Sequence, residues 1–267
     1  MIGINYLGKR RERLANQMFQ YAALKGIAKN RGYDYCIPPS KYQGVVDEWK
    51  EHQLFVPFKL DTINNLNVQY IDFDRPTINE SGFNFDKNLF DECPDWVSLL
   101  GYFQSEKYFK NVKSDLRKDF SFNNDILDPC IDAICSIESP ISLHVRRTDY
   151  VTNPNHTTLG FEYYEEALKQ FDSKRNVLIF SDDTEWCKNQ KIFESDRFYV
   201  SEGQTNYADL CLMTLCEDHI IANSSFSWWG AWLAEDNRVV APSGWFRDTN
   251  LAHLDTTDLL PETWEII

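Results

Sequence analysis

From about residue 138 onward, short β-rich runs alternate with helical patterns, and this alternation restricts the fold more than any other feature of the chain. Ile141–Val145, Val177–Phe180, Phe198–Val200, His219–Ala222 and Val239–Ala241 have the length and apolar content of strands covered on both faces. Between them, Tyr164, Leu168 and Phe171 recur on one helical face after Gly160, and Tyr207, Leu210 and Thr214 repeat at similar spacing. Parallel strands need long crossovers and helices supply them, so five such strands predict a doubly wound α/β domain.

The first half is less regular. It predicts a strand at Ile2–Tyr6 and a helix near Gln17–Asn30, with Phe19, Ala23 and Ile27 on one face and Gly32 as its stop. A strand at Val97–Phe103 then leads to a helix capped by Ser105, with Tyr108, Val112 and Leu116 on its buried side. These elements suit a smaller α/β domain. Residues 40–95 show scattered Pro, Asn and Asp without periodicity and receive no assignment. Phe122–Pro140 reads as the connection, which places the domains at 1–125 and 138–267.

With 267 residues, 43% of them apolar and 15% aromatic, the chain can bury a core in each domain. No run approaches the roughly 18 apolar residues of a membrane span, and Met1–Leu7 meets Lys9 before a signal-type stretch develops. A cytoplasmic protein without an integral membrane segment is expected. The net charge of −14 disfavours nucleic acid and anionic lipid as partners, so any phosphate site must be local. Seven cysteines without a C-x-x-C pair read as reduced, packed thiols, and no metal site is expected.

The strongest chemical signal is His144-Val145-Arg146-Arg147-Thr148-Asp149, at the end of a predicted buried strand. Ligands of open α/β sheets bind beyond the carboxyl ends of strands, and the planar guanidinium fork suits a diphosphate. The competing reading is one surface arginine and one paired with Asp149. A second signal is Arg13-Leu14-Ala15-Asn16-Gln17 at a helix start, where unpaired N–H groups attract anions, with Lys9, Arg10 and Arg11 adding charge. There Asn16 could equally cap the helix. A third group comprises Ser181-Asp182-Asp183, Asp209 and Asn223-Ser224-Ser225-Phe226-Ser227. Its carboxylates could accept the N–H donors of a guanine edge and its serines could hold phosphate, though each alone is ordinary turn chemistry. Trp228 and Trp232 are four apart and read as a core face rather than a sugar platform. Arg238, at a strand start, is expected to be a surface residue at the opposite sheet edge.

These residues resemble the bacterial α-1,2-fucosyltransferases, glycosyltransferase family 11. The likeness is carried by Leu14-Ala15-Asn16-Gln17-Met18-Phe19-Gln20-Tyr21-Ala22, by Gly101 to Phe109, by His144 to Asp149, by Ser181-Asp182-Asp183 with Trp186, and by Asn223 to Gly230. The arginine motif alone also resembles core α-1,6-fucosyltransferases and protein O-fucosyltransferases. The resemblance implies a GT-B-like fold of two Rossmann-like α/β domains facing a central cleft, with 1–125 on the acceptor side. It also implies GDP-β-L-fucose as donor, a galactose-containing oligosaccharide as acceptor, inversion to an α-fucoside, and no cofactor or metal. By motif, Arg146 holds the β-phosphate with help from Arg147, His144 lies near the nucleotide, and Asn16 faces the diphosphate from the other domain. Asp209 contacts guanine, and Ser224 and Ser225 lie near the phosphates. Two departures, Ala15 where the family has glycine and a longer, more basic Gly8–Arg13 loop, weight the donor contact toward Arg146 rather than Asn16.

Negative charge grows on the leaving diphosphate during glycosyl transfer, so Arg146 is expected to do what a divalent ion does elsewhere. Asp182 and Asp183 are adjacent and should point apart, unlike an Asp-x-Asp metal pair. Asp149, Glu162 and Glu165 are possible bases for the acceptor hydroxyl, and none is assigned. Other readings are a transferase using another GDP-sugar or fucosyl linkage, and a non-catalytic GDP-sugar or carbohydrate binder.

Overall fold

The computed structural model describes residues 1–7, 13–39 and 53–267; Lys9, Arg10 and Arg11 lie outside the described residues. The chain divides into two units, one of Met1–Asn123 with Asp255–Pro261, the other of Asn124–Leu254 with Glu262–Ile267. The connection expected at Phe122–Pro140 is instead mostly a helix of the second unit, and the chain returns to the first unit near its end.

The first unit is built on a four-stranded parallel sheet of order β2-β1-β4-β3, with β1 at Ile2–Gly3, β2 at Tyr35–Cys36, β3 at Thr77–Asn79 and β4 at Ser98–Leu100. Both predicted strands are shorter than expected because side chains take over the backbone hydrogen bonds. Beyond β1, the buried Asn5 amide exchanges hydrogen bonds with the backbone of Ile71 at 2.8 and 3.0 Å. Beyond β4, the Glu80 carboxylate accepts from the N–H groups of Tyr102 and Phe103 at 3.0 and 2.9 Å. Helix α1 (Leu14–Arg31) starts a turn earlier than expected and ends at Gly32, whose φ of 69° is the left-handed cap that glycine adopts without penalty. On its buried side, Asp119 accepts from Lys25, Tyr21 and Thr62, so a fully buried charge is paired and hydrogen-bonded. Helix α2 (Lys87–Glu92), capped by Asp86, fills part of the region that carries no periodicity. The helix expected after Ser105 is two 3₁₀ turns followed by α3 (Lys113–Asp119), with Tyr108, Val112 and Leu116 buried as expected.

The second unit carries a six-stranded, all-parallel sheet of order β10-β9-β8-β5-β6-β7. Its strands are β5 (Ile141–Val145), β6 (Val177–Ser181), β7 (Phe198–Val200), β8 (Asp218–Ile220), β9 (Val239–Ala241) and β10 (Glu265–Ile266). The crossovers and flanking helices are α4 (Asn124–Ile134), α5 (Thr148–Thr152), α6 (Phe161–Lys169), α7 (Thr184–Lys188), α8 (Asn206–Thr214) and α9 (Ser225–Leu233). Pro129 lies inside α4, and a residue that usually breaks helices hides this one from a pattern reading. Trp228 and Trp229 are wholly buried and Trp232 nearly so, which makes α9 a core helix. All seven cysteines are free and only Cys135 is exposed. Among the described residues, no helix is long and apolar enough to cross a membrane.

This strand order decides where a ligand can go. From β5 the chain winds outward through β6 and β7, then returns to the other side of β5 for β8, β9 and β10. The order therefore reverses between β5 and β8, and at such a switch point the loops leave the sheet in opposite directions and open a crevice.

Candidate active site

Two elements meet at that crevice: the arginine turn that follows β5 and the start of α9, which follows β8. Arg146 and Arg147 leave β5 in opposite directions. The Arg146 guanidinium pairs with Asp149 and, at 2.9 Å, with Asp182, and its carbon lies 5.1 Å from the Tyr150 ring centroid. Tyr150 in turn donates its hydroxyl to the Asn223 carbonyl at 3.2 Å, which ties this ring to the loop after β8. Arg147 engages the neighbouring carboxylate of the same loop after β6 and has its aromatic contact there too. Its Nε donates to Asp183 at 3.1 Å and its guanidinium lies 3.8 Å from the centroid of Trp186, which stacks on Phe161. Arg146 is thus the arginine at the switch point, and Arg147 braces the turn from behind.

Asp182 organises the turn. It accepts from the Arg147 N–H at 2.9 Å, from the Thr148 hydroxyl and from Arg146. Burial pushes its carboxyl up, but these donors together with the Arg146 charge hold it below the ordinary value. Asp183 caps α7 through the Trp186 N–H at 3.2 Å besides holding Arg147. The two carboxylates point apart as expected, but both are engaged by arginines, so the guanine-edge role considered for this pair has no support in the geometry.

His144, the last residue but one of β5, is a buried side chain, its Nδ1 2.8 Å from the Ser227 hydroxyl and its ring 5.8 Å from that of Phe226. Burial, reinforced by the Arg146 charge, lowers its pKa to about 3, so the imidazole is neutral at physiological pH. Ser224 is the N-cap of α9 and accepts weakly from the Phe226 N–H at 3.4 Å; Ser225 is the first helical residue. Helix N-termini attract anions, and this one starts beside the arginine turn. Asp209 lies in the first turn of α8, where it accepts from Ser201 at 2.7 Å, and burial raises its carboxyl.

His144, Arg146, Ser224 and Ser225 therefore come together at the switch point, with Arg147 behind them and Asp209 further along the same sheet edge, past β7. Asn16 belongs to the first unit. It does not cap α1, whose N-cap is Arg13; it sits in the first turn and accepts from the Gln104 amide at 2.9 Å. Two of the motif blocks noted in sequence, around Asn16 and around Gly101–Phe109, are thereby joined.

Sequence patterns missed Tyr150 and the full part played by Asn223. The buried Asn223 amide donates to the Thr157 carbonyl at 2.9 Å and to the Trp245 carbonyl at 3.0 Å, gathering the loops after β5, β8 and β9. Its place just before a helix cap, at the head of the Asn223 to Gly230 block, was the available signal. In the same unit a cavity of about 330 Å³ is lined by Thr157, Glu162, Tyr163, Glu166, Ser243 and Arg247, so Glu162 faces it. In the first unit, Glu80 was not singled out either. Burial raises its carboxyl to about 7 although three donors, from Tyr102, Phe103 and Tyr108, surround it. Among the described residues, no three His, Cys, Asp or Glu side chains are grouped to hold a metal ion.

Comparison with known proteins agrees with the geometry. The family model "Glycosyl transferase family 11" matches residues 6–265. An α-1,2-colitosyltransferase of Escherichia coli is 33% identical over 94% of both chains. A galactoside 2-α-L-fucosyltransferase of Bos taurus is 23% identical over 85% of this chain, an alignment that spans 64% of the relative. Among solved structures, the NodZ α-1,6-fucosyltransferase soaked with GDP-fucose superposes with a TM-score of 0.56 at 13% identity, covering 89% of this chain and 93% of that one. The fold is GT-B-like.

Proposed function

Since the chain belongs to glycosyltransferase family 11, we propose that it transfers L-fucose from GDP-β-L-fucose to the 2-hydroxyl of a terminal galactose, inverting to an α linkage without a metal ion. The observation that carries this reading is the Arg146 guanidinium at the switch point beside the start of α9. In the transfer, the bond from the fucose anomeric carbon to the β-phosphate oxygen breaks. The acceptor oxygen bonds to the opposite face of that carbon, and its proton passes to solvent or to a carboxylate. Charge accumulates on the departing diphosphate, where Arg146 and the α9 N-terminus with Ser224 and Ser225 stabilise it. Arg147 braces Arg146 through the shared turn, His144 supports the nucleotide as a neutral ring, and Asp209 receives the guanine. The first unit is assigned to the acceptor, and its Asn16 to donor binding.

The sugar is the finer question. A second reading, transfer of colitose to the same kind of hydroxyl, is favoured by the 33% identical colitosyltransferase. GDP-fucose and GDP-colitose are offered separately with a galactose-terminated acceptor in excess EDTA, and the product is solved by NMR. The expected product is an α-L-fucoside on galactose O2. A colitoside alone selects the second reading, and another hydroxyl or a β linkage refutes the linkage. Activity restored only by added Mg²⁺ or Mn²⁺ refutes the role given to Arg146. Donor binding without transfer or hydrolysis marks a non-catalytic binder.

A further inference from the structure

Arg146 reaches the switch point with its guanidinium already shared between two carboxylates, and these two are not alike. Asp182 lies on Nη1 at 2.9 Å, its side chain 20% exposed, and it also fastens the Arg147 N–H and the Thr148 hydroxyl. Replacing it would undo the turn. Asp149 lies on Nη2, three residues on in the short helix α5, with its side chain 42% exposed. Although the Arg146 side chain is only 14% exposed, a carboxylate this open to water separates from it cheaply, because it is hydrated as it leaves. A diphosphate oxygen makes a stronger charge-assisted contact and can take both prongs of a guanidinium edge. Tyr150, beneath the guanidinium, holds Arg146 in place while its partner changes.

We propose that Asp149 is an intramolecular competitor for the diphosphate: it occupies the Nη2 edge of Arg146, yields it to the donor, and reclaims it to expel GDP after transfer. The proposal rests on the GDP-sugar reading above. GDP released by transfer carries one more negative charge than it does within the sugar nucleotide, so Arg146 holds product more tightly than donor. A carboxylate competing for the same edge, and repelling the diphosphate beside it, counters that product trap.

The test compares Asp149→Asn, which keeps an oxygen acceptor near Arg146 but removes the charge, with Asp182→Asn. GDP affinity is measured by calorimetry, and GDP inhibition by steady-state kinetics, on variants shown by thermal melts to be folded at the assay temperature. Asp149→Asn is expected to bind GDP about five- to tenfold more tightly, with a matching fall in the GDP inhibition constant. Asp182→Asn is expected to bind GDP more weakly because Arg146 and the turn lose their anchor. Equal or weaker GDP binding by Asp149→Asn overturns the proposal. So does equal tightening by Asp182→Asn, which would reduce the effect to net charge. Wild type that binds no GDP overturns the proposed function itself, whereas wild type that binds GDP without responding to Asp149→Asn overturns only this inference.

Discussion

Adjacent residues at the end of a strand point to opposite sides, and for Arg146 and Arg147 that alternation separates the proposed phosphate ligand from its proposed brace. Arg146→Ala is expected to lower kcat by about 10² to 10³, with a smaller effect on donor binding, because the contact strengthens as charge builds on the leaving group. Lysine should rescue poorly, since a point charge lacks the fork. More than about a tenth of wild-type kcat in a folded Arg146→Ala protein would remove it from this role. Arg238, expected from the sequence at the surface of the opposite sheet edge, would be an unsuitable silent control, because it binds Glu265 at 2.5 Å and lies over Phe171, linking β9 to β10. Exposed Lys174 is the better control. Glu80 gives a pH test. Its folded pKa of about 7 exceeds the model-peptide value of 4.5, so the folded state binds the proton more tightly. Stability should therefore fall as pH rises from about 4.5 to 7 and stay lower above it, by roughly 1 to 3 kcal/mol. Glu80→Gln should flatten that decline in chemical denaturation across this range. An unchanged pH slope would show that Glu80 titrates normally.

Elements were readable where the pattern alone fixes them and misread where a neighbour intervenes. β5, β7 and β9 match their apolar runs residue for residue; β5 and β9 are buried along their whole length, whereas β7 is an edge strand whose Tyr199 is exposed, so the reading of all runs as covered on both faces holds only for the inner strands. The helix after Ser105 breaks into 3₁₀ turns where the chain presses on α1: a Cβ on Gly26 would stand 1.9 Å from the Tyr108 carbonyl, and Asn111 donates to the Gly26 carbonyl. Helix propensity alone predicts that Gly26→Ala stabilises α1 by about 1 kcal/mol. The contact reverses the sign, and a loss of about 2 to 4 kcal/mol is expected, since backbone rather than a flexible side chain must move. A thermal melt decides between the two, and a raised Tm would mean that the Tyr108 segment yields easily.

For the whole molecule, the return of Asp255–Pro261 to the first unit makes the C-terminal residues serve both units. Asp255 and Asp258 bond Asn84, Asp258 pairs with Lys107, and Leu259 is buried, while Ile267 bonds Ala241 and Ser243 beside β9. Truncation after Leu254 should speed hydrogen exchange both around 84–107 and along β9. A change in one region alone would show that the tail matters to one unit only. By itself, the sequence determined the parallel sheet of the second unit, the core role of the α9 tryptophans and the placing of His144 and Arg146 at a strand end. These follow from periodicity and from what buried strands require of their own residues. It could not say which arginine faces the switch point, that Asp182 and Asp183 are held by arginines, or that Asn5 and Glu80 end strands. It also could not say that burial raises the Glu80 carboxyl. Each of these depends on residues far apart in the chain, because burial and hydrogen-bond partners exist only once the sheet order has brought those residues together.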